Sequence, residues 1–311
     1  MLTQVFIFAA SLFTVIKGAT LATKHAGHLA DNFRLSKYTA AFIIVAMVGI
    51  LPETFIAVSA AIKGIPAFGL GMLFGSNIAD LTLIFSLVIL ISGRSLKIES
   101  QILKNHSLYP LLLLLPIVLG LDGSFTRFEG AALIIAGIAF YYSALKNGAL
   151  NTGPAANPAG KYKNIAILIF SMLLLLIGSH FTVSSASAIA AYLNISPILI
   201  GMLVVGLGTT MPELFFSLKS IKEREDSLAV GDILGTVLAD ATIVVGLLAM
   251  ISPFSFPIRI IHITGLFMVA AAVLLFYFMR SGRTLSRREA RSLLIFWLVF
   301  VLIEFIASSG L

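Results

Sequence analysis

Two paired motifs place four acidic residues inside long apolar stretches of the chain, where charged side chains are costly. They are Glu53, Asp80, Glu213 and Asp240, referred to below as the four carboxylates. A charged side chain at the centre of a bilayer costs at least about 2.5–3.5 kcal/mol, so it is rare without a role. The interiors of these stretches contain no basic residue that could neutralise them. We therefore expect the four carboxylates to hold metal cations, protons, or both in exchange.

The four carboxylates belong to two motifs with a constant separation, called the repeat offset below. The sequence numbers of Glu53 and Glu213 differ by 213 − 53 = 160, and those of Asp80 and Asp240 differ by 240 − 80 = 160. Other matches at the repeat offset pair Gly18 with Gly178, Pro52 with Pro212, Gly71 with Gly231, and Gly75 with Gly235. A duplication explains this register better than chance. A kink or close packing could explain any one proline or glycine alone, but not the paired acids.

The prolines of the two motifs free backbone oxygens. Pro52 and Pro212 lie within apolar stretches, where a proline removes one backbone donor and leaves the carbonyl four residues earlier without its helical partner. Those carbonyls belong to Val48 and Gly208. In lipid such a carbonyl is tolerated only where protein or a hydrated cavity meets it. A bound cation would satisfy it directly.

Hydroxyl residues precede the two aspartates at helical spacing. Ser76 is four residues before Asp80, and Thr236 is four residues before Asp240, so each pair shares one helical face. Each half therefore offers a hydroxyl, carboxylates and loosened backbone from two neighbouring stretches. Hard oxygen ligands without cysteine or a histidine cluster suit Ca²⁺ or Na⁺ better than Zn²⁺ or Cu⁺.

The composition predicts that membrane-spanning helices position these residues. Of 311 residues, 59% are hydrophobic and only 11% are charged, whereas a soluble domain carries about 25% charged residues. The absence of cysteine excludes a disulfide framework and a thiolate site. Stretches of about 20 apolar residues predict an all-α protein with ten transmembrane helices. Their approximate limits are 2–23, 37–62, 67–92, 107–121, 128–146, 164–190, 197–220, 227–252, 259–280 and 292–308.

The duplication divides these helices into two halves. We predict a first five-helix repeat at 1–146, a cytoplasmic linker at 147–163, and a second five-helix repeat at 164–311. The motifs occupy 37–92 in the first repeat and 197–252 in the second. Because each repeat has an odd number of spans, the second must enter the membrane in the opposite sense, as an inverted-topology repeat.

The basic residues are distributed by side of the membrane. We number the connections between consecutive predicted spans from the N-terminus. The odd-numbered connections hold 17 Lys and Arg residues and the even-numbered ones hold 3, with Lys17 inside a span. The positive-inside rule then places the odd connections in the cytoplasm and both termini outside. The net charge of +7 is thus explained by topology and does not indicate a nucleic-acid partner. Without a nucleotide loop or a nucleophile–base pair, we do not expect an enzyme or a cofactor.

At these motifs the chain resembles the calcium/cation antiporter superfamily, and within it the compact prokaryotic sodium/calcium exchangers. That family carries two repeats of the form G-[ST]-S-x-P-E followed by G-S-N-x-x-[ND]. The corresponding segments here are 48–53 with 75–80 and 208–213 with 235–240. The resemblance implies a multi-pass protein of the prokaryotic plasma membrane that exchanges Ca²⁺ for Na⁺ by alternating access, without an obligate protein partner.

The resemblance also implies which residues bind ions. Glu53 and Glu213 would flank a central calcium site with Asp80 and Asp240 beside them. Sodium sites would be built from hydroxyl, amide and backbone oxygens near the four carboxylates. These additional residues are Ser76, Asn77, Thr209, Thr210, Thr236, Ala46, Gly49 and Gly206.

The chain departs from the family pattern in the same motifs. Gly49 and Ile50 stand where hydroxyl residues are usual, and Asp80 stands where asparagine is common. In the second repeat, Val237 stands where asparagine is usual. Asp232 stands where the family favours an asparagine after a glycine. Fewer hydroxyls and more acids favour protons as the counter-ion, so H⁺/Ca²⁺ antiport is the alternative to Na⁺/Ca²⁺ antiport. A channel or a cation sensor is a third hypothesis.

Three acidic residues and one histidine lie outside the motifs. We expect Glu304, near the end of the tenth predicted span, and Asp122 and Glu129, in the fourth connection, to be interfacial. His180 lies deeper in the sixth predicted span and is a candidate for a proton relay.

Overall fold

The computed structural model describes residues 1–30, 37–98, 109–147 and 161–309. Eight of the helices in this part of the chain are long and apolar enough to cross a membrane, or nine if one bent pair counts as a single span. The fourth predicted span is a shorter apolar helix, Tyr109–Asp122. The predicted linker at 147–163 lies largely outside the described residues.

The helices and strands are numbered here in chain order. The α-helices of the first part are α1 (Leu2–Ala30), α2 (Lys37–Ala40), α3 (Ala46–Gly49), α4 (Leu51–Ile62), α5 (Pro66–Ala79), α6 (Phe85–Ser92), α7 (Tyr109–Leu119) and α8 (Arg127–Asn147). Those of the second part are α9 (Lys161–Leu193), α10 (Pro197–Ile200), α11 (Gly206–Thr209), α12 (Met211–Lys222), α13 (Asp226–Ala239), α14 (Val245–Ile251), α15 (Leu266–Gly282) and α16 (Arg287–Ser309). The strands are β1 (Leu96–Lys97), β2 (Ser124–Phe125), β3 (Phe254–Ser255) and β4 (Thr284–Leu285).

Short π-helical segments interrupt several of the long apolar helices. A π-helical turn is rare and is frequently found at functional sites. Four of these segments lie in the two motifs, at Ala41–Val45, Asp80–Ile84, Gly201–Val205 and Asp240–Val244, and a fifth lies at Ile260–Gly265. The second and fourth begin at Asp80 and at Asp240, so each aspartate lies where one helical geometry changes to another.

The elements of the two motifs follow the repeat offset of the sequence. The first residues of α4 and α12 differ in number by 211 − 51 = 160, and their last residues by 222 − 62 = 160. Helices α5 and α13 are related in the same way, since 226 − 66 = 160 and 239 − 79 = 160. The π-helical segments follow the same register. The duplication is therefore visible in the backbone as well as in the motifs.

The helix that precedes each motif glutamate is broken just before the proline. Helix α3 ends at Gly49 and α4 begins at Leu51, with a bend of 41° between the two helical parts of the span. Pro52 is the second residue of α4 and Pro212 the second residue of α12. Proline is tolerated in the first turn of a helix because that position has no intrahelical donor to lose. Each glutamate then falls in the first turn of a new helix.

Glycines allow the two motifs to interlock. A Cβ atom on Gly75 would lie 2.4 Å from the Met202 carbonyl oxygen, and one on Gly235 would lie 2.3 Å from the Phe42 carbonyl oxygen. The two contacts correspond at the repeat offset. Helix α5 therefore packs against the π-helical segment of the second motif, and α13 packs against that of the first. Only glycine permits this backbone approach.

Two short strand pairs connect loops that are distant in the sequence. Strand β1 pairs antiparallel with β4, and β2 pairs antiparallel with β3. Strands β1 and β4 lie in the predicted third and ninth connections, and β2 and β3 in the fourth and eighth. Odd connections thus meet odd ones and even connections meet even ones, as a bundle with two opposite faces requires.

An ion pair adds a further contact on the face of β1 and β4. Arg94 makes a two-pronged ion pair with the Asp226 carboxylate, with one nitrogen–oxygen distance of 2.8 Å. The same guanidinium donates to the Ile221 carbonyl oxygen at 2.6 Å. The hydrogen bond to Asp226 raises the pKa of Arg94, so the guanidinium stays charged. Arg94 thus joins the loop after α6 to the turn between α12 and α13.

Helices α1 and α9 form a long pair at the side of the bundle. A Cβ atom on Gly178 would lie 2.8 Å from Val15 Cγ2 and one on Gly18 3.2 Å from Leu174 Cβ, so each glycine allows close approach. Lys63, at the end of α4, holds α9 by donating to the His180 carbonyl oxygen at 2.9 Å and to the Ser184 hydroxyl. Burial lowers the pKa of Lys63.

Candidate cation-binding site

The four carboxylates are all buried. Glu53 and Glu213 are 1% and 2% exposed, and Asp80 and Asp240 are 1% and 0% exposed. Glu53 lies in the first turn of α4 and Glu213 in the first turn of α12. A helix N-terminus favours negative charge there, because unpaired N–H groups and the helix dipole point toward it. The broken helices therefore orient both glutamates into the interior of the bundle.

Glu53 is the common neighbour of the other three carboxylates. Its carboxylate lies close enough to Asp80, to Glu213 and to Asp240 for their charges to repel one another. The charge of Asp80 also acts on Glu213 and on Asp240. The structure therefore brings together in one electrostatic cluster the residues that the sequence repeat singled out.

The hydroxyl residues of the motifs differ in what they contact. The Thr209 hydroxyl reaches the Glu53 side chain and also lies 3.0 Å from the Gly206 carbonyl oxygen. Ser76 donates to the Leu73 carbonyl oxygen at 3.0 Å. Thr236 is fully buried, and its hydroxyl has no hydrogen-bond partner. Thr209 and Thr236 are thus the hydroxyl residues best placed to act together with the carboxylates.

Gly49 lies directly against the second motif. A Cβ atom on Gly49 would lie 3.1 Å from Glu213 Oε1 and 3.2 Å from Thr236 Oγ1. Its counterpart at the repeat offset is Thr209, which approaches Glu53. The two halves therefore present the same crossed arrangement, in which a residue at the helix break of one half meets the glutamate of the other.

The remaining predicted ligands are Ala46, Gly206, Thr210 and Asn77. Their oxygens lie beside the helix breaks or point away from the carboxylates. The Ala46 and Gly206 carbonyl oxygens accept the amides of Ile50 and Thr210 at 3.0 and 3.2 Å. The Thr210 hydroxyl donates within its own helix to the Leu207 carbonyl oxygen. The Asn77 amide nitrogen lies 3.5 Å from Met268 Sδ, whereas its oxygen has no hydrogen-bond partner. These predicted roles are therefore less directly supported by contacts than those of Thr209, Thr236 and Gly49.

The carboxylate cluster has unsatisfied oxygens and no basic neighbour at its depth. Each of the four carboxylates has at least one oxygen without a hydrogen-bond partner. Among the residues whose side chains the structure describes, no lysine, arginine or histidine is buried. Removing a charge from water without a partner costs several kcal/mol. Cations or protons must therefore compensate this cluster.

One further buried carboxylate lies beside the four carboxylates, although the motif pattern marks it only as a departure from the family. Asp232 is 1% exposed, and its charge acts on Asp80 and on Glu213. It lies four residues before Thr236 on α13. The same i, i+4 spacing that joined Thr236 to Asp240 would have identified it from the sequence.

Two tyrosines complete the surroundings of α13. The Tyr109 hydroxyl donates to the Leu234 carbonyl oxygen at 2.8 Å, and the Tyr141 hydroxyl donates to the Gly235 carbonyl oxygen at 2.6 Å. These bonds come from α7 and α8 and satisfy carbonyls in the turns before the π-helical segment. No sequence motif marks these tyrosines, since their role depends on the packing of distant helices.

Glu304, which we expected to be interfacial, is enclosed within the protein. Glu304 is fully buried, accepts a hydrogen bond from the Thr264 hydroxyl at 3.1 Å, and lies 3.6 Å from the Arg259 guanidinium. Helix α16 packs this face against the neighbouring segment, so the protein encloses a side chain near the end of the helix. His180 is exposed, which removes the support for a proton relay through its side chain.

Asp122 and Glu129, which we also expected to be interfacial, both accept hydrogen bonds from nearby residues. Asp122 is exposed and accepts hydrogen bonds from the amide and hydroxyl of Ser124 at 2.9 and 3.0 Å. Glu129 is half-buried and accepts from the amide and hydroxyl of Thr126 at the start of α8. Both carboxylates therefore stabilise local structure.

Carboxylates alone do not form a complete metal shell. Within the described part of the chain, no three His, Asp or Glu side chains lie close enough together to hold a metal ion. Ca²⁺ takes 6–8 oxygen ligands, including hydroxyl, carbonyl and water oxygens. The hydroxyls of Thr209 and Thr236 lie beside the carboxylates and are available for this purpose. A cation held here would therefore have mixed oxygen ligands.

Comparison with known proteins places these features in a family. The family model described as sodium/calcium exchanger protein matches residues 3–146 and 163–306. The first residues of the two matches differ in number by 163 − 3 = 160, which is the repeat offset of the motifs. The two matches together cover most of the chain.

Relatives and solved structures are similar over most of the length. The sodium/calcium exchanger MaX1 of Methanosarcina acetivorans is 25% identical, over 96% of this chain and 97% of that protein. The inner membrane protein YrbG of Escherichia coli is 26% identical, over 81% of each. A structure of the sodium-calcium exchanger NCX_Mj covers 96% of this chain and 97% of that one, with a TM-score of 0.73 and 23% identity.

Proposed function

The chain belongs to the sodium/calcium exchanger protein family, and from this premise we propose that it exchanges Ca²⁺ for Na⁺ at the four carboxylates. The family is one of multi-pass membrane transporters that exchange cations. The finer assignment concerns which residues bind the ions and which ion is exchanged for Ca²⁺. No bound cofactor is part of the proposal, because the transported ions are the substrates.

The observation that carries the proposal is the buried carboxylate cluster. Its members are unpaired with basic side chains and retain oxygens without hydrogen-bond partners. Outside the cluster, the buried acids of the described residues lie near arginine: Asp226 beside Arg94 and Glu304 beside Arg259. The four carboxylates differ from these in having no such counter-charge. Ca²⁺ supplies two positive charges to this cluster, and Na⁺ supplies one for each ion bound.

The proposed mechanism is alternating access. The duplicated elements favour two five-helix repeats of inverted topology, 1–146 and 164–311, with the ions bound between them. The excess of basic residues in the odd connections favours a cytoplasmic linker and external termini, in a prokaryotic plasma membrane. Ca²⁺ and Na⁺ would compete for Glu53 and Glu213, so that one ion must leave before the other binds. This competition couples the two fluxes.

A second candidate is exchange of Ca²⁺ for protons. The observation that favours it is the number of buried acids, since Asp80 in the cluster and Asp232 beside it add carboxylates to the two glutamates and Asp240. A carboxylate can exchange a cation for a proton directly. Both candidates use the same residues and differ in the ion that drives transport.

Flux measurements on purified protein in proteoliposomes test the proposal. An imposed Na⁺ gradient should drive uptake of radiolabelled Ca²⁺ at uniform pH, whereas a pH gradient without Na⁺ should not. Uptake driven by the pH gradient alone would favour the second candidate. Ca²⁺ flux without coupling to either ion would contradict an antiporter and favour a channel.

A further inference from the structure

Three oxygens of the second motif converge where a side chain at position 49 would stand. A Cβ atom on Gly49 would lie 3.1 Å from Glu213 Oε1, 3.2 Å from Thr236 Oγ1 and 3.8 Å from Asp232 Oδ1. Because residue 49 is glycine, no side chain occupies the space between these oxygens. The α3–α4 break of the first motif therefore faces a set of acidic and hydroxyl oxygens from α12 and α13.

Two of these oxygens lack hydrogen-bond partners within the protein. Asp232 Oδ1 and Thr236 Oγ1 are both buried without a partner, and the residues are 1% and 0% exposed. A buried polar group that is left unpaired costs about 1–3 kcal/mol, and a charged one costs more. The convergence of these atoms beside Gly49 is therefore unfavourable unless a ligand completes it.

The corresponding place in the other half has different chemistry. At the repeat offset Asp232 corresponds to Met72, Gly49 to Thr209, and Thr236 to Ser76. The pocket around Glu53 thus has one carboxylate and two hydroxyls. The pocket around Glu213 has two carboxylates and one hydroxyl. The carboxylate of Asp232, one helical turn before Thr236, compensates for the hydroxyl that Gly49 lacks.

We infer that Asp232, Glu213 and Thr236 form a cation pocket beside Gly49, in which Asp232 replaces the side-chain oxygen missing at position 49. The pocket takes a small monovalent cation, Na⁺ under the proposed function, on which this inference rests. Glu213 is shared with the central cluster, so Asp232 is the one carboxylate outside the four carboxylates that lines this pocket. Its charge matches Na⁺ better than Ca²⁺, which needs more ligands and more charge.

The unequal pockets have a consequence for ion coupling. Two pockets that differ by one carboxylate bind the same monovalent ion with different affinity, because a charged ligand attracts it more strongly at close range. Na⁺ would therefore occupy the Asp232 pocket at lower concentration than the Thr209 pocket. Asp232 is thus a specificity-determining residue for the counter-ion and not for Ca²⁺.

The test uses the full chain in proteoliposomes and compares Asp232→Asn with wild type. We expect the Na⁺ concentration for half-maximal Ca²⁺ exchange to rise about tenfold, the effect of about 1.4 kcal/mol of lost binding. Equilibrium Ca²⁺ binding without Na⁺ should change less than about threefold, well under 1 kcal/mol. Asp122→Asn, which alters an exposed turn, is the matched control and should behave as wild type.

A second variant and a rescue keep the test decisive. Asp232→Met introduces the residue that the first half carries at this place, and it should raise the Na⁺ requirement as Asp232→Asn does. Gly49→Ser added to Asp232→Asn returns an oxygen to the pocket, and it should recover part of the Na⁺ affinity. The neighbouring side-chain oxygens must shift by a few tenths of an ångström to admit it.

The outcomes separate this inference from the proposed function. If wild-type protein gives no Na⁺-driven Ca²⁺ flux, the proposed function fails, whatever Asp232 does. If wild type exchanges normally and both Asp232 variants keep its Na⁺ dependence, the pocket is refuted and the proposed function stands. Equal losses of Na⁺ and Ca²⁺ affinity in the folded variants would also refute it, by making Asp232 part of the central cluster.

Discussion

At the scale of single residues, the position of each glutamate after a proline sets its chemistry. Pro52 and Pro212 begin new helices, and the following glutamates receive the field of those helix N-termini. The negative charge is thereby stabilised without a basic partner. A glutamate in this place can release a bound cation without first breaking an ion pair within the protein.

Glu53→Gln and Glu213→Gln test this role. Each substitution keeps the size of the side chain and removes one charge from the centre of the cluster. We expect each variant to lose Ca²⁺ exchange by at least about a hundredfold, as expected for about 3 kcal/mol of lost binding. The measurement is Na⁺-driven Ca²⁺ uptake in proteoliposomes. Glu129→Gln, at the start of α8, is the control, and normal transport by either of the two site variants would contradict the site.

The sequence predicted the burial of the four carboxylates because acids are rare in apolar spans. It marked Asp232 only as a departure from the family pattern, because the closeness of Asp232 to Gly49, a residue in the other half of the chain, depends on the fold. The enclosure of Glu304 has a similar cause. Its place near the end of a span indicates its depth, whereas burial within the protein depends on which face of α16 meets its neighbours.

At the scale of elements, hydropathy predicted the approximate limits of most helices but not their interruptions. A π-helical turn does not change the apolar run in which it lies, so the segments at Asp80–Ile84 and Asp240–Val244 have no signature in composition. The prolines did indicate an irregularity. The structure shows that this irregularity is a new helix start at each position.

The glycine contacts between α13 and the first motif can be tested by Gly235→Ala. The added Cβ atom would lie 2.3 Å from the Phe42 carbonyl oxygen and 2.5 Å from Ala46 Cβ. Because one of these neighbours is backbone, we expect a destabilisation of about 3 kcal/mol or more. The measurement is the melting temperature of the purified protein in detergent.

A matched glycine provides the control for this variant. At Gly282 the nearest atom to an added Cβ, Thr284 Oγ1, would be 3.6 Å away, an ordinary contact distance. Gly282→Ala should therefore melt close to wild type. If both variants melt at the same temperature, the close approach of α13 to the first motif is not as described.

Arg94 offers a test of how the helical elements are held together at one face. Arg94→Gln removes a two-pronged ion pair and leaves the Asp226 carboxylate, which is 9% exposed, without its counter-charge. Because Arg94 itself is 35% exposed, we expect a loss of only about 1–2 kcal/mol. The melting temperature should fall, whereas the Na⁺ dependence of transport should not change. Arg288→Gln, at an exposed position, should leave both unchanged.

At the scale of the whole molecule, the repeat offset predicted that the elements of the two halves would correspond. The pairing of β1 with β4 and of β2 with β3 was not predictable, because strands of two residues carry no readable pattern. The pairs nevertheless agree with the two faces that the Lys and Arg count implies. The predicted membrane topology therefore follows from charge, and the contacts on each face follow from packing.

The absence of cysteine from the chain allows a direct test of that topology. Asp122→Cys and Ser281→Cys each introduce one thiol at an exposed position in an even and an odd connection, respectively. We expect a membrane-impermeant thiol reagent to label the first in intact cells and the second only after permeabilisation. The reverse pattern would invert the proposed orientation, and the unmodified chain is the unlabelled control.

The strand pair β1–β4 also constrains how the protein is made. Leu96 pairs with Leu285, and most of the second half of the chain must be synthesised between them. At a synthesis rate of about 5–20 residues per second, strand β4 is synthesised roughly 10–40 s after strand β1. Helix α5 is likewise synthesised well before the π-helical segment Gly201–Val205, which contacts its Gly75. The early helices therefore enter the membrane with their packing surfaces uncovered, and maturation depends on completing nearly the whole chain.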